Sequence, residues 1–179
     1  MRRGRQSRTD CETEGRGVIY VLSSLASAVF FDTSILISAF IEMGDSPSPS
    51  EAALDAITQQ LVRRPMTAWH CVLEFYAVAT RLPANVRLDP KLAGGIVRKQ
   101  ILERFEVCEL PSEAHGAFIE AIVGERIAGG RVHDAHIAEA ARLAGAEVVV
   151  TENRRHFVPL MRYGIRVLTA AEFAAEYGA

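Results

Sequence analysis

Short apolar runs alternate with stretches of helical spacing along most of this 179-residue chain. Ala28-Val29-Phe30-Phe31 is a run of four that predicts a buried strand, and Ile35 to Ile41 follows with helix-like spacing. Asp45-Ser46-Pro47-Ser48-Pro49 breaks that helix, and Ser50 is placed to cap a second one over Glu51 to about Arg63. Pro65-Met66-Thr67-Ala68 predicts a short strand leading into a helix from about His70 to Arg81, which Leu82-Pro83-Ala84-Asn85 stops. Asp89-Pro90 opens a helix running to about Phe105, and Glu106 to Leu110 reads as a strand. Pro111-Ser112 starts a helix to about Ile127, ahead of Gly129-Gly130. A helix from about Val132 to Ala144 has Gly145 past its end, a strand covers Glu147 to Thr151, another covers Ile165 to Leu168, and Ala170 to Tyr177 is a terminal helix. Strands separated by helices predict a three-layer α/β fold, with a mostly parallel central sheet covered by helices on both faces. No repeat or linker divides it, so one domain is expected over residues 27–179.

Several polar residues depart from this pattern. Asp32 closes the first apolar run and stands at the carboxyl end of its strand, where open α/β sheets place ligands. A carboxylate there is costly to bury unless a cation or hydrogen-bond donors meet it. In the helix from Val132, Asp134 falls near the middle of the face carrying Ile137, Ala138 and Ala141, although an acid in a first turn also serves a helix start. In the helix from His70, the stripe His70, Glu74, Ala77 and Arg81 runs along an otherwise apolar surface. An ordinary solvent face with Glu74 paired to His70 would produce the same stripe. Thr151-Glu152-Asn153-Arg154-Arg155-His156 follows the clearest strand, and brings Glu152 or Asn153 near Asp32 if the two strands are neighbours.

Acids from three separate elements can therefore meet at one end of the sheet. Carboxylates cannot share a small site while ionised without a cation, and oxygen ligands without cysteine suit Mg2+ or Mn2+. Metal-assisted phosphodiester cleavage uses sites of this kind.

Composition narrows the partners. The formal net charge is −2, and residues 1–28 carry five arginines against three acids, so the domain itself is acidic. Any nucleic acid must be gripped locally, by placed arginines or by metal. Cys11, Cys71 and Cys108 are odd in number and show no zinc spacing, which fits a reducing cytoplasm. No segment is long enough to span a membrane. Residues 1–28 superficially resemble a signal peptide, with arginines, an apolar stretch from Val18 to Leu25 and an Ala-x-Ala site at Ala26-Ser27-Ala28. Asp10, Glu12 and Glu14 interrupt the charged region, and a flexible extension ahead of the domain is the simpler expectation.

Phe31-Asp32-Thr33-Ser34, Leu73-Glu74-Phe75 with Arg81, Gly129 to Ala138 around Asp134, and Val149 to Phe157 resemble, in order and spacing, the PIN-domain ribonucleases, and most closely the VapC-type toxins of toxin–antitoxin pairs. The resemblance extends over residues 27 to 173. It implies an Mg2+- or Mn2+-dependent endoribonuclease whose metal ligands are Asp32, Glu74 and Asp134. A fourth position falls on Asn153, where many relatives carry Asp, so Asn153 is expected to act through a water. Relatives are usually homodimers silenced by a small antitoxin protein. On this reading Thr33 or Ser34 orients a ligand through its hydroxyl, unless the pair simply caps a helix, and Arg81 or Arg154 grips the RNA backbone.

Two other readings remain open. A PIN-like module that no longer cleaves and acts through a protein partner is favoured by Asn153. An aspartyl phosphohydrolase would also place Asp at a strand end, but expects an acid where Ser34 stands.

Overall fold

A computed structural model describes residues 26–41 and 48–177. The extension expected over residues 1–26 lies outside the described residues except for its last position. So does most of the helix-breaking segment around Ser46.

Five parallel strands form one sheet in the order β3-β2-β1-β4-β5. They are β1 (Ala26–Phe31), β2 (Val62–Ala68), β3 (Glu106–Cys108), β4 (Val148–Val150) and β5 (Arg166–Leu168). Among the described residues eight α-helices connect and cover them. These are α1 (Thr33–Phe40), α2 (Pro49–Thr58), α3 (Trp69–Ala79), α4 (Pro90–Ile96), α5 (His115–Gly124), α6 (Arg131–Leu143), α7 (Arg154–Phe157) and α8 (Ala170–Tyr177). β1 occupies the centre, and Val29, Phe30 and Phe31 are inaccessible to solvent. A central parallel strand is covered on both faces, which is why its sequence is a continuous apolar run rather than an alternation. Val149 and Val150 of β4 are buried in the same way beside it.

Several elements differ from the sequence expectation. The second helix is capped by Ser48 rather than Ser50. The Ser48 hydroxyl accepts from the Glu51 N–H while the Glu51 carboxylate accepts from the Ser48 N–H, a reciprocal box with Pro49 at the first helical position. That helix also ends at Thr58, not Arg63. Gln60 takes a left-handed conformation (φ 58°) and the Leu61 N–H returns to the Ala56 carbonyl, which turns the chain into β2 three residues earlier than expected. Arg63 and Arg64 masked the strand, because both point to solvent at a stretch of β2 that β3 does not cover. The helix expected from Asp89 to Phe105 begins as α4, with the Asp89 side chain capping it, and widens into a π-helical segment over Val97–Leu102. The helix expected to reach Ile127 begins with a 3-10 turn (Ser112–Ala114) and ends at Gly124.

Chain direction decides where chemistry can occur. All five strands run the same way, so the chain leaves β1 into α1, β2 into α3 and β4 towards α7 at one edge of the sheet. Phe31 and Val150 are in register, so Asp32 and Thr151 emerge side by side.

Candidate active site

Asp32 follows β1 directly and is held at both flanks. Its N–H donates to the Val150 carbonyl (3.0 Å), and the carbonyl of Phe31 before it accepts from the buried Thr67 hydroxyl (2.9 Å). The residue is the N-cap of α1 in extended conformation, but its side chain does not cap the helix. Instead Oδ2 accepts from the Thr151 hydroxyl at 2.8 Å and from the Ser34 hydroxyl at 2.9 Å.

The direction of these bonds follows from their neighbours. Thr151 Oγ1 accepts from the Asn153 N–H (3.0 Å), and Ser34 Oγ accepts from the Glu152 N–H (3.1 Å). Each hydroxyl therefore has its proton to give, and both give it to Asp32. Asp32 is only 6% exposed, and burial pushes its carboxyl above the ordinary range. The Thr151 and Ser34 hydroxyls and the Thr33 N–H pull it back down, while the nearby charge of Glu74 pushes it up. No lysine, arginine or histidine forms an ion pair with Asp32 or Glu74 among the described residues.

Glu74 comes from α3, one and a half turns past the end of β2. Thr33 is buried, and its hydroxyl donates to Glu74 Oε2 at 2.7 Å. Thr33 and Ser34 thus spend their hydroxyls on the two carboxylates and not on capping α1. The alternative in which Glu74 pairs with His70 is not what forms: the His70 ring stacks on His133 with centroids 4.9 Å apart.

Asp134 projects from the first turn of α6, below which Ile137 and Ala141 are buried. Its Oδ2 lies 2.6 Å from His156 Nδ1, both side chains being about a quarter exposed or less. His156 Nε2 accepts from the Arg155 Nε–H at 3.0 Å, so the ring carries its proton on Nδ1 and donates it to Asp134. The Asn153 side-chain nitrogen lies 2.9 Å from the same Nδ1, a donor beside a donor, so it makes no hydrogen bond there while Nδ1–H serves Asp134. Asn153 stands beside His156.

The remaining candidates are placed elsewhere. Glu152 faces away from Asp32, and its Oε1 accepts from the Ala170 N–H at the start of α8. Arg154 pairs with Glu172 at 2.8 Å, half-exposed on the outer side of α7. Arg81 is exposed beyond the end of α3, without an ion-pair partner among the described residues.

Among the described residues no three His, Cys, Asp or Glu side chains converge at metal-ligand spacing as they stand. The chemistry of the donors nevertheless fits a hard divalent ion. Asp32 and Glu74 are neighbouring carboxylates steadied by hydroxyls and lacking a cation, and Mg2+ is commonly held by one or two carboxylates with waters filling its shell. Asp134 shares with Glu74 the lining of an open cavity of about 780 Å3. Asp134 is the member now engaged by another group.

One contributor, Thr151, was not singled out from the sequence. Thr151 read as the last residue of a strand, yet a hydroxyl wholly buried at the mouth of a parallel sheet is itself a signal. His156 was expected either at the surface or behind the ligands, and α7 turns it onto Asp134.

A family model for the PIN domain matches residues 28–155. Among curated proteins none matches the chain by sequence. Solved structures with similar folds include FitAB bound to an IR36 DNA fragment (13% identity, TM-score 0.55, covering 80% of this chain and 95% of that one). FitAcB from Neisseria gonorrhoeae is similar at 15% identity and TM-score 0.55, and VapBC-1 from nontypeable Haemophilus influenzae at 17% and 0.55. Each of these two alignments covers 79% of this chain and 97% of the other. With the family model spanning most of the chain, and with acids from β1, α3 and α6 at the carboxyl edge of a parallel sheet, the protein belongs to the PIN-domain family.

Proposed function

We propose that this PIN-domain protein is an Mg2+- or Mn2+-dependent endoribonuclease and the toxin of a toxin–antitoxin pair. One observation carries the reading. A buried carboxylate, Asp32, is held by two directed hydroxyls beside a second carboxylate, Glu74, with no described cation to balance them. Such an arrangement suits a site that is completed by a cation.

Asp32 and Glu74 would hold the ion, and Asp134 would join them directly or through a water once it leaves His156. When bound, the ion supplies an activated water and neutralises charge growing on the leaving oxygen. Thr33 keeps Glu74 oriented, Ser34 and Thr151 fix Asp32 and favour its ionised form, and Asn153 lies beside His156. Arg81 is free to meet the RNA backbone, whereas Arg154 would first have to part from Glu172.

The similarity to VapBC-1 supports an antitoxin partner. A homodimer is supported by α3, where Trp69, Leu73 and Tyr76 lie exposed along one side of the helix and give a second copy an apolar surface to cover. Free Cys71 and Cys108 agree with a cytoplasmic setting, and no described helix is long and apolar enough to cross a membrane.

Cleavage of a structured RNA by the purified protein, with Mg2+ and with EDTA, tests the reading against an Asp134→Asn variant. Metal-dependent cutting that the variant loses supports it, and wild-type cutting by the variant marks a contaminant. The alternative, a silent module acting through a protein partner, is favoured by two observations: Asn153 stands where an acid is common, and Asp134 is engaged by His156. Equal and negligible Mn2+ affinity in the wild type and in Asp32→Asn would decide for it.

A further inference from the structure

Two cavities meet at Asp134. The larger, about 780 Å3, opens over Glu74 and Asp134. The smaller, about 210 Å3, lies between α5, α6 and the 3-10 turn Val158–Tyr163. Arg131, Asp134, Arg155 and His156 line both, so the small cavity opens directly off the carboxylate cleft.

The charges at this junction are uneven. Around the small cavity Arg162 is partnered by Glu125, and Arg142 by Glu139. Arg131 and Arg155 have no carboxylate partner among the described residues. The Arg155 Nε–H is used on His156, which leaves the end of its guanidinium for another acceptor. Neither is in ion-pair contact with Asp134, whose Oδ2 accepts from His156. Two uncommitted guanidiniums beside a hydrolytic centre suit a phosphate.

Away from this junction the small cavity is lined by Phe118 and Ile122 from α5, Ala135 and Ala138 from α6, and Leu160 from the 3-10 turn, with the paired Glu125, Glu139 and Arg162 also on its wall. The volume is below the ~300–1,000 Å3 of pockets for drug-sized ligands, so it suits a single ring system. Cationic groups at the entrance with a mainly apolar lining behind match a nucleotide presented phosphate outward and base inward.

We infer that Arg131 and Arg155 hold a backbone phosphate of single-stranded RNA beside the cleaved bond, and that the adjoining unstacked base enters the cavity between α5 and α6. The inference rests on the ribonuclease reading above and deepens it. Phosphate contacts fix the register of the strand, and the base in the cavity sets which sequence is cut. Small residues on facing helices, Ala121 on α5 and Ala135 and Ala138 on α6, leave the space that the base takes.

The test uses the full-length protein with Mn2+, a random-sequence single-stranded RNA pool and sequencing of the cut ends. The wild type should prefer one class of base at a fixed position beside the cut. Ala121→Leu, made on an exposed helix, should erase that preference while its Mn2+ affinity by calorimetry stays that of the wild type. A preferred RNA with an abasic nucleotide at that position should be cut about tenfold more slowly by the wild type, and no more slowly than intact RNA by Ala121→Leu. Arg155→Met should raise KM for all sequences alike. The abasic arm needs no variant, so a folding defect in Ala121→Leu leaves the proposal testable. Cleavage whose preference survives Ala121→Leu, or an abasic RNA cut as fast as the intact one, overturns the base site and leaves the ribonuclease reading standing. A variant that keeps the RNA preference but loses a protein partner reassigns the cavity to a peptide side chain and overturns it as well. If the wild type cuts no RNA with metal, the ribonuclease reading falls and this inference falls with it.

Discussion

The Thr151 hydroxyl donates to Asp32 Oδ2 at 2.8 Å while accepting the Asn153 N–H at 3.0 Å, joining the ends of β1 and β4 across 119 positions of sequence. Thr151 is inaccessible to solvent, so water cannot replace its proton. Thr151→Val keeps the shape and removes the donor, leaving a buried carboxylate short of one bond. Stability in metal-free buffer should fall by about 1–3 kcal/mol. Thr151→Ser should recover most of it. Urea unfolding of the three proteins measures this, and a Val variant within a few tenths of a kcal/mol of the wild type would show that the bond is dispensable.

Asp32 itself should behave in the opposite sense. Its carboxyl is pushed above the ordinary range by burial, so between the unfolded and folded values the folded chain binds more protons than the unfolded one, and above both the ionised group weakens the fold. Asp32→Asn removes that charge and keeps an oxygen for the hydroxyls. At pH 7 with EDTA its Tm should exceed the wild type by about 2–4 °C, an effect on the order of 1 kcal/mol. The gap should close as pH falls and the wild-type carboxyl takes up its proton. Added Mn2+ should raise the Tm of the wild type only. A large loss of stability in Asp32→Asn would make the carboxylate a structural group.

Asp32, Glu74 and Asp134 were legible in the sequence because each breaks a pattern set by its own element: an acid after an apolar run, an acid on a stripe, an acid on an apolar face. Whether β1 and β4 are neighbours stayed open in the sequence, and the structure pairs Phe31 with Val150. What local reading missed depends on contacts between distant elements. The start of β2 was hidden by Arg63 and Arg64, which reach solvent from a strand that one neighbour leaves uncovered. Ser48 and Ser50 are equally good caps by type, and only the Glu51 carboxylate returning to Ser48 distinguishes them. Arg154 and Arg155 are adjacent and identical in kind, yet the short α7 sends one to Glu172 and the other to the cleft.

His156 holds the third acid of the site, 2.6 Å from Asp134. If Asp134 joins Asp32 and Glu74 around an ion, that bond competes with binding. His156→Leu removes the competitor, and Mn2+ affinity by calorimetry should rise about three- to tenfold, the scale of one ordinary net hydrogen bond. Asp134→Asn in the same background should cancel the gain. An affinity that drops tenfold instead would show that the imidazole supports the ion rather than opposing it.

Cys71 offers a reporter beneath the site. Its thiol is buried against Thr33, Thr67 and the Ala68 backbone, and burial, with the charge of Asp32 adding to it, pushes the thiol up to about 12. The half-buried Cys108, whose Sγ–H donates to the Thr67 carbonyl, is pushed up to about 11 by burial. Only the thiolate attacks thiol reagents, and at pH 8 a group at about 12 is ionised in about one molecule in ten thousand. In a chain with Cys11 and Cys108 changed to serine, labelling of Cys71 should therefore wait for the protein to open. Mn2+, which binds only the folded site, should slow the labelling by the factor through which it stabilises the fold, and Asp32→Asn should remove that protection. Fast labelling of the folded chain would mean that the floor of the site is open, and labelling indifferent to Mn2+ would separate the ion from Asp32.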